Sequence, residues 1–256
     1  MMDITLEAQT FILVFFRVVS MIWFMPLFES TSVSAVYKAG LSLLIAFLLF
    51  QTAPAPADLH GDAFLLMIAV GKEVLVGLAM GFFVRVLFSA VSAAGEVISM
   101  QSGLSFARTM GAASSSQQST VLDQFQGLLA AMIFLGIDGH HVLLRGIARS
   151  LKDVPPGAIA VKPALFEFMA AATGKLFGAS LRVCAPVIAT LFLMEVALGI
   201  LARLIPQVNV FIEGASMKIL VTFAMLALSL NLIVPVIAGL FRGLDGQMLN
   251  VVRAVR

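Results

Sequence analysis

Charged residues are scarce in this sequence. Asp, Glu, Lys and Arg make up 12% of its 256 residues, against about 25% in soluble domains. Hydrophobic residues make up 61%, and phenylalanine alone occupies 21 positions. A chain with so little polar surface cannot cover its apolar side chains in water. The composition therefore predicts an integral membrane protein or a subunit of a membrane-associated assembly.

Cysteine and net charge are equally limited. A single cysteine, Cys184, leaves no second thiol for an intrachain disulfide. The net charge is +2, and no basic face with interleaved aromatic residues is present, which argues against nucleic-acid binding. The N-terminus carries Asp3 and Glu7 where a signal peptide would carry basic residues. The first apolar run is therefore expected to stay in the mature protein.

Motifs for catalysis and metal binding are missing as well. The sequence has no HExxH pattern, no GxSxG elbow and no phosphate-binding P-loop. His140 and His141 are adjacent, and neighbouring residues of a helix point about 100° apart. This pair is therefore predicted to be poorly placed for one metal ion. The sequence predicts no enzyme activity, no catalytic residue, no metal site and no cofactor.

Apolar runs separated by short polar breaks fill most of the chain. They predict an all-α fold of long kinked helices and helical hairpins. At about 1.5 Å per residue, roughly 20 residues are needed to cross a bilayer core of about 30 Å. The run from 39 to 50 is too short for this and is expected to be a core or re-entrant helix. The predicted helical runs are 8–28, 39–50, 63–94, 125–137, 164–204 and 219–241.

Several charged residues interrupt these runs. Arg17 lies near the middle of the first, Lys72 and Glu73 lie in the third, and Glu195 lies in the fifth. A charge at the centre of a spanning helix costs about 2.5 to 3.5 kcal/mol on insertion scales, so these side chains should face protein or a polar cavity. Two interpretations fit. The charges lie at subunit interfaces, or they follow the substrate path of a secondary transporter or ion channel.

Glycines mark two further features. Gly77 and Gly81 lie four residues apart on one helix face, where another backbone can approach closely. Farther on, residues 95–123 read GEVISMQSGLSFARTMGAASSSQQSTVLD, a polar, Gly- and Ser-rich segment between apolar runs. At membrane depth, irregular backbone persists only where it is buried in protein or lines a water-filled cavity. The segment therefore predicts a pore-lining or plug loop.

A Pro- and Gly-rich stretch at 155–163 is the only predicted subdivision of the chain. Beyond it, two long apolar runs joined at Pro206 and a turn at 207–214 predict a helical hairpin. The tail is mildly basic, with Arg242, Arg253 and Arg256. Because cytoplasmic segments carry an excess of Lys and Arg, this tail favours a cytoplasmic C-terminus.

Three groups of residues together resemble a known family. The first is GE at 95–96 with Gln101 and GLSF at 103–106, the second is GHH at 139–141, and the most specific is RLIPQVNVF at 203–211. In order, spacing and overall length they are similar to the FliR family, the R subunit of the flagellar type III protein export gate. The departures are Asp138 where the family often has Gly, Ser216 where it often has Pro, and RTMGAASSS where an Asp-Pro pair is usual.

The resemblance implies a non-enzymatic subunit that forms, with the P and Q subunits, the portal through which unfolded flagellar proteins leave the cytoplasm. It implies a P-like helical part at 1–157 and a Q-like helical hairpin with a basic tail at 158–256. It also implies contacts with membrane lipid and with the B subunit of the export apparatus. The implied location is the bacterial inner membrane in the flagellar basal body, with much of the assembly on the periplasmic side.

In this family the loop after the Gln-Gly-Leu-Ser-Phe motif acts as a plug, and it maps onto 106–120. Small residues give that segment high backbone freedom, so ordering it is costly in entropy. Glu96 and Gln101 either anchor the segment by hydrogen bonds or satisfy helix ends. The residues assigned to the plug are Phe106, Met110, Gly111, Ser114, Ser115 and Ser116; those assigned as loop anchors are Glu96, Gln101 and Gly103; and those assigned to a subunit interface are Arg17, Lys72, Glu73, Arg203, Pro206, Gln207, Asn209 and Phe211.

Overall fold

A computed structural model describes residues 2–28, 34–54, 63–105, 121–160, 162–205 and 210–255. Every regular element in these ranges is a helix, which confirms the predicted fold class. A short 3-10 turn, Pro26–Phe28, follows the first helix. The helices in chain order are α1 (Met2–Phe24), α2 (Ala35–Phe50), α3 (Ala63–Ser102), α4 (Val121–Gly136), α5 (Gly139–Asp153), α6 (Pro163–Leu204), α7 (Val210–Arg242) and α8 (Leu244–Val255).

Within the described residues, four stretches of helix are long and apolar enough to cross a membrane, namely Leu6–Phe24, Ala63–Ser102, Pro163–Leu204 and Gly214–Val255. Helices α4 and α5 together form a further candidate, a span that is broken between them. Helix α2 has 16 residues and is not among the spans, as its length predicted. Helix α3 has 40 residues, so it is about 60 Å long, roughly twice the hydrocarbon thickness of a bilayer.

The chain divides into two compact units. Unit 1 contains Met1–Leu87, Ile137–Gly174 and Phe241–Arg256, and unit 2 contains Phe88–Gly136 and Lys175–Leu240. Both α3 and α6 therefore contribute one part to each unit. The predicted division at 157 is of another kind, because it separates a part that resembles the P subunit from a part that resembles the Q subunit. The division into compact units does not test it, so it stays a prediction.

In unit 1, α1 and α3 run parallel and in close contact. Leu13 shares a core cluster with Ala69, and farther along both helices Gly77 lies against the backbone of Arg17 and Gly81 lies against that of Met21. The absent side chains at 77 and 81 permit this approach, so the predicted small-residue contact is confirmed. Helix α2 returns antiparallel to α1, with the Phe50 ring 5.9 Å from the Phe11 ring.

In unit 2, the C-terminal half of α3 and α4 form an antiparallel pair. A Cβ atom at Gly95 would lie 2.9 Å from the Asp123 Cα, and the Phe88 and Phe134 rings lie 5.6 Å apart at the other end of the contact. The residue that contacts α4 lies earlier on α3 as its partner lies later on α4, which shows that the two helices are antiparallel. The segment that joins α3 to α4, 106–120, lies outside the described residues.

The helix ends differ from the predicted ones at several places. The segment 95–123 was predicted to be a loop, but α3 continues to Ser102 and α4 begins at Val121, so its two ends are helical. Helix α7 begins at Val210, inside the turn predicted for 207–214, and continues through Pro235. Helix α8 was not predicted, since the basic residues of the tail indicate its orientation but not its secondary structure. Its apolar residues recur at helical spacing and are buried, which makes it an amphipathic helix that packs within unit 1; they are Leu244, Met248, Val251, Val252 and Val255.

Candidate functional site

The residues assigned to the plug, all within 106–120, lie outside the described part of the chain, as do Pro206, Gln207 and Asn209. Phe211 lies in the first turn of α7, and its side chain is likewise outside the description. The candidate site is therefore built from the two described ends of the 106–120 segment and from the polar side chains that hold them.

The end of α3 is defined by Gly103. Its φ of +82° lies in the left-handed region, which glycine enters without steric cost and which commonly ends helices. The Gly103 N–H donates to the Met100 carbonyl at 3.3 Å, and the Ser102 hydroxyl donates to the Ser99 carbonyl at 3.0 Å. These bonds satisfy the last turn of α3 and fix the direction in which the chain leaves it.

A polar cluster of Gln101, Glu195 and Lys218, here called the Glu195 cluster, lies at this end of α3. Gln101 Nε2 donates to one Glu195 carboxylate oxygen at 3.0 Å, and Lys218 Nζ donates to the other at 2.5 Å. The side chains of Lys218 and Glu195 are 21% and 40% exposed. The cluster ties the root of the 106–120 segment to both helices of the hairpin formed by α6 and α7.

Glu195 was expected to face protein or a polar cavity, and its contacts with Gln101 and Lys218 confirm that it faces protein. Lys218 was not among the predicted site residues, although the sequence contained the signal. Glu195 lies 11 residues before Pro206 and Lys218 lies 12 after it, so an antiparallel hairpin that turns at 206 places them opposite each other. Gly214 and Leu198 show the same pairing, since a Cβ atom added at Gly214 would lie 3.1 Å from the Leu198 Cδ1.

The three predicted anchors are all described. Gln101 has the contact just given, Gly103 ends the helix, and Glu96 is partly buried next to the crossing of α3 and α4 at Gly95. That these residues anchor a moving segment stays a prediction.

A second polar group lies wholly inside unit 1. Arg17 Nε donates to a Glu73 carboxylate oxygen at 2.5 Å, and both side chains are 0% exposed. Arg17 also donates to the Ser150 hydroxyl at 3.2 Å and to the Val154 carbonyl at 3.3 Å. The Gly157 N–H donates to the second Glu73 oxygen at 2.8 Å. This buried ion pair connects α1, α3, α5 and the loop that follows α5.

The four charged residues assigned to a subunit interface divide into two classes. Arg17 and Glu73 meet each other within the chain, so their charges are compensated without a neighbouring subunit. Lys72 is partly exposed and Arg203 is exposed on α6. For Lys72 and Arg203 the interface role stays a prediction.

The GHH motif begins α5. The rings of His140 and His141 lie 4.2 Å apart, so the prediction that helical spacing separates these two side chains is wrong. At the first turn of a helix, rotation about χ1 lets two adjacent long side chains lean together. Asp138 precedes them with a φ of 57°, a left-handed conformation that explains a preference for glycine here. The ligand atoms of these three residues lie within 4.8 Å of one another.

Comparisons with known proteins agree on one kind of relative. The sequence profile of bacterial export proteins, family 1, matches residues 8–244. The chain is 35% identical over 236 residues to the flagellar biosynthetic protein FliR of Bacillus subtilis (strain 168), covering 90% of each chain. It is 30% identical over 236 residues to the flagellar biosynthetic protein FliR of Escherichia coli (strain K12), covering 92% of this chain and 90% of the relative. The matched region contains both polar groups described above.

Proposed function

This chain belongs to the bacterial export proteins, family 1, and is a subunit of the flagellar export apparatus, and we propose that it forms the export channel together with the P and Q subunits. In this proposal unfolded flagellar proteins pass through that channel. The segment 106–120 closes it as a displaceable plug. The role of the chain is structural and gating rather than catalytic.

The Glu195 cluster carries this proposal. A plug must be held at its root while its middle moves, and Gln101 lies five residues before the segment begins. Its contact with Glu195 links the root to α6, and Lys218 links the same carboxylate to α7. A rearrangement of the α6–α7 hairpin would therefore be transmitted to the root of the plug.

Exposed apolar side chains on α6 and α7 support the proposal that other subunits or lipid cover this hairpin. Pro163–Leu204 and Gly214–Val255 each contain an apolar stretch of 18 residues, and only 22% of that stretch is buried within the chain. Apolar surface of this extent must be covered by lipid or by other subunits. The proposed partners are the P, Q and B subunits in the bacterial inner membrane, with much of the assembly on the periplasmic side. The exposed side chains include Phe177, Leu181, Phe192, Leu193, Ile200, Leu220, Leu228 and Leu232.

A secondary transporter or ion channel, the alternative interpretation of the intramembrane charges, is not favoured. Arg17 and Glu73 are compensated by each other, and Glu195 is paired with Lys218. Charges held in this way connect helices and do not form an open path for a solute. The flagellar relatives point in the same direction.

Deletion of residues 111–116 tests the plug directly. We expect the assembled complex to form in normal yield, because no described helix contains these residues. We also expect the closed channel to leak ions, because the missing residues shorten the segment that closes it. The measurement is single-channel conductance of the purified complex in planar bilayers, where a several-fold rise in open time is expected.

The control is replacement of 111–116, which read GAASSS, by a linker of six glycines, which keeps the length and removes the alanine methyl and serine hydroxyl groups. Full closure with the linker would show that length alone closes the channel. Unchanged conductance after the deletion would rule out the plug. Native mass spectrometry of the same samples tests the partners separately, since a stable solitary chain with solute uptake would favour the transporter.

Replacing Glu195 with leucine is expected to release the root of the segment. The variant removes the acceptor of Gln101 and the counter-ion of Lys218 together. Arg108 is the only basic residue of 106–120, so tryptic cleavage after it reports access to the segment. We expect cleavage at Arg108 to accelerate several-fold in the assembled complex.

Glu167→Leu is the matched control, because Glu167 is an exposed carboxylate on the same helix. Its cleavage rate should equal that of the unchanged protein. Equal rates for Glu195→Leu and Glu167→Leu would show that the Glu195 cluster does not restrain the segment.

A further inference from the structure

Three side chains that can bind a metal ion lie together where α5 begins. Asp138 precedes the helix, and His140 and His141 lie in its first turn. Each of the three offers one ligand atom, and these atoms all lie within 4.8 Å of one another. No other three histidine, cysteine or carboxylate side chains converge in this way within the part of the chain that the structure describes. The three residues, which all belong to unit 1, are here called the Asp138 cluster.

The spacing of Asp138 and His141 fits one metal ion between them. The Asp138 Oδ1 and His141 Nδ1 atoms lie 3.4 Å apart, farther than the roughly 2.9 Å of an ordinary N–H···O hydrogen bond. Zn²⁺ holds a histidine nitrogen or a carboxylate oxygen at about 2.1 Å, so two of its ligands at a tetrahedral angle lie about 3.4 Å apart. Both side chains are more than half exposed, so an ion can reach them from solvent.

His140 provides the third ligand. Its Nδ1 atom is buried and accepts or donates no hydrogen bond among the described residues. A buried polar atom without a partner costs free energy and calls for a further group that satisfies it. The nitrogen lone pair of a neutral imidazole is the commonest metal ligand in proteins. Since the ring lies 4.2 Å from that of His141, rotation about the side-chain torsions brings nitrogens of both rings to one ion.

The Asp138 carboxylate decides whether a cation can bind here. The first turn of a helix carries a partial positive charge, and the exposed Arg145 follows His141 by one turn of α5. Both disfavour a cation, and the negative charge of Asp138 offsets them. Members of the family often have glycine at this position, so the complete set of three ligands is a feature of this chain and not of the family as a whole.

We propose that Asp138, His140 and His141 bind one divalent transition-metal ion such as Zn²⁺, with water in the fourth position. Two imidazole nitrogens with one carboxylate oxygen suit zinc and its neighbours, whereas Mg²⁺ and Ca²⁺ prefer oxygen ligands alone. The role of the ion is structural, because it links residue 138, which precedes α5, to the first turn of that helix. The site needs neither the plug nor the P and Q subunits, so it is independent of the proposed function.

Zinc binding by the assembled export complex tests the proposal. The complex with the full chain is stripped with EDTA and dialysed against Zn²⁺, and bound zinc is measured by elemental mass spectrometry. The other subunits contribute equally to every sample, so the difference between variants reports this site. His140→Gln and His141→Gln should each weaken zinc binding at least tenfold and remove one bound ion per copy of the chain. Equal zinc content in the unchanged complex and in both variants would overturn the site.

Asp138→Gly separates zinc binding from folding. Glycine adopts the φ of 57° at this position without steric cost, so the metal-free variant should unfold no earlier than the unchanged complex. Zn²⁺ should raise the thermal unfolding midpoint of the unchanged complex, since a ligand of the native state stabilises it, but not that of the variant. Asp153→Asn, which removes an exposed carboxylate at the end of α5, is the control and should keep the rise. A rise in Asp138→Gly, or its loss in Asp153→Asn, would overturn the site.

Discussion

Replacing Glu73 with alanine is expected to prevent stable folding of the chain. Arg17 would then keep its buried position without a counter-ion, since both side chains are 0% exposed. Removing one partner of a buried ion pair costs about 3 to 5 kcal/mol, which is a large part of a typical folding free energy of about 5 to 15 kcal/mol. The measurement is the yield and the thermal unfolding midpoint of the complex purified in detergent.

Two variants separate the ion pair from other effects of substitution. Lys72→Ala changes a partly exposed charge at the adjacent position and should alter the midpoint little. The double variant Arg17→Met, Glu73→Met replaces both charges by apolar side chains and should recover much of the stability, because no buried charge is left unpaired. A midpoint for Glu73→Ala equal to that of Lys72→Ala would contradict the structural role.

The double variant also distinguishes the two functional interpretations of these charges. If Arg17 and Glu73 only hold helices together, a complex that carries both methionines should assemble and export flagellar proteins. A complex that assembles but exports nothing would instead mean that the charges themselves take part in transport.

The sequence predicted most helices because apolar runs of this length have few other structures available at membrane depth. It also predicted that Arg17 and Glu73 would face protein, since a charge in lipid is costly. It could not predict that they meet. Their positions are 56 residues apart, and the Ser150 hydroxyl that completes the group is 133 residues from Arg17, so the pairing depends on which helices become neighbours.

The pairing of Glu195 with Lys218 is different in kind. Its partners lie on two helices joined by one turn, so the position of Pro206 is enough to place them opposite each other. Local topology is predictable from sequence in this way, whereas contacts between distant helices depend on the whole packing arrangement. The α8 helix is likewise a local feature that the sequence indicates, because its apolar residues recur every three or four positions.

Replacing Gly77 with alanine is expected to be as damaging as the loss of Glu73, although it adds a single methyl group. A Cβ atom at this position would overlap the Ser20 hydroxyl oxygen and the Arg17 carbonyl oxygen of α1. The Ser20 side chain can rotate away, but the carbonyl belongs to the helix backbone, so α1 must move. Overpacking of this kind typically costs about 1 to 3 kcal/mol, occasionally more, and movement of Arg17 would in addition lengthen its bond to Glu73.

Gly71→Ala is a matched control on the same helix. Beyond the backbone of its own helix and its chain neighbours, no atom lies within 4 Å of a Cβ at Gly71, and alanine is favoured over glycine in a helix by about 1 kcal/mol. The same substitution should therefore raise the thermal unfolding midpoint at 71 and lower it strongly at 77. Combining Gly77→Ala with Glu73→Ala should cost less than the sum of the two, because both disturb the same contact between α1 and α3. Additive losses would show that the close helix approach and the ion pair are independent, and equal midpoints at 71 and 77 would show that α1 is not held against α3 at Gly77.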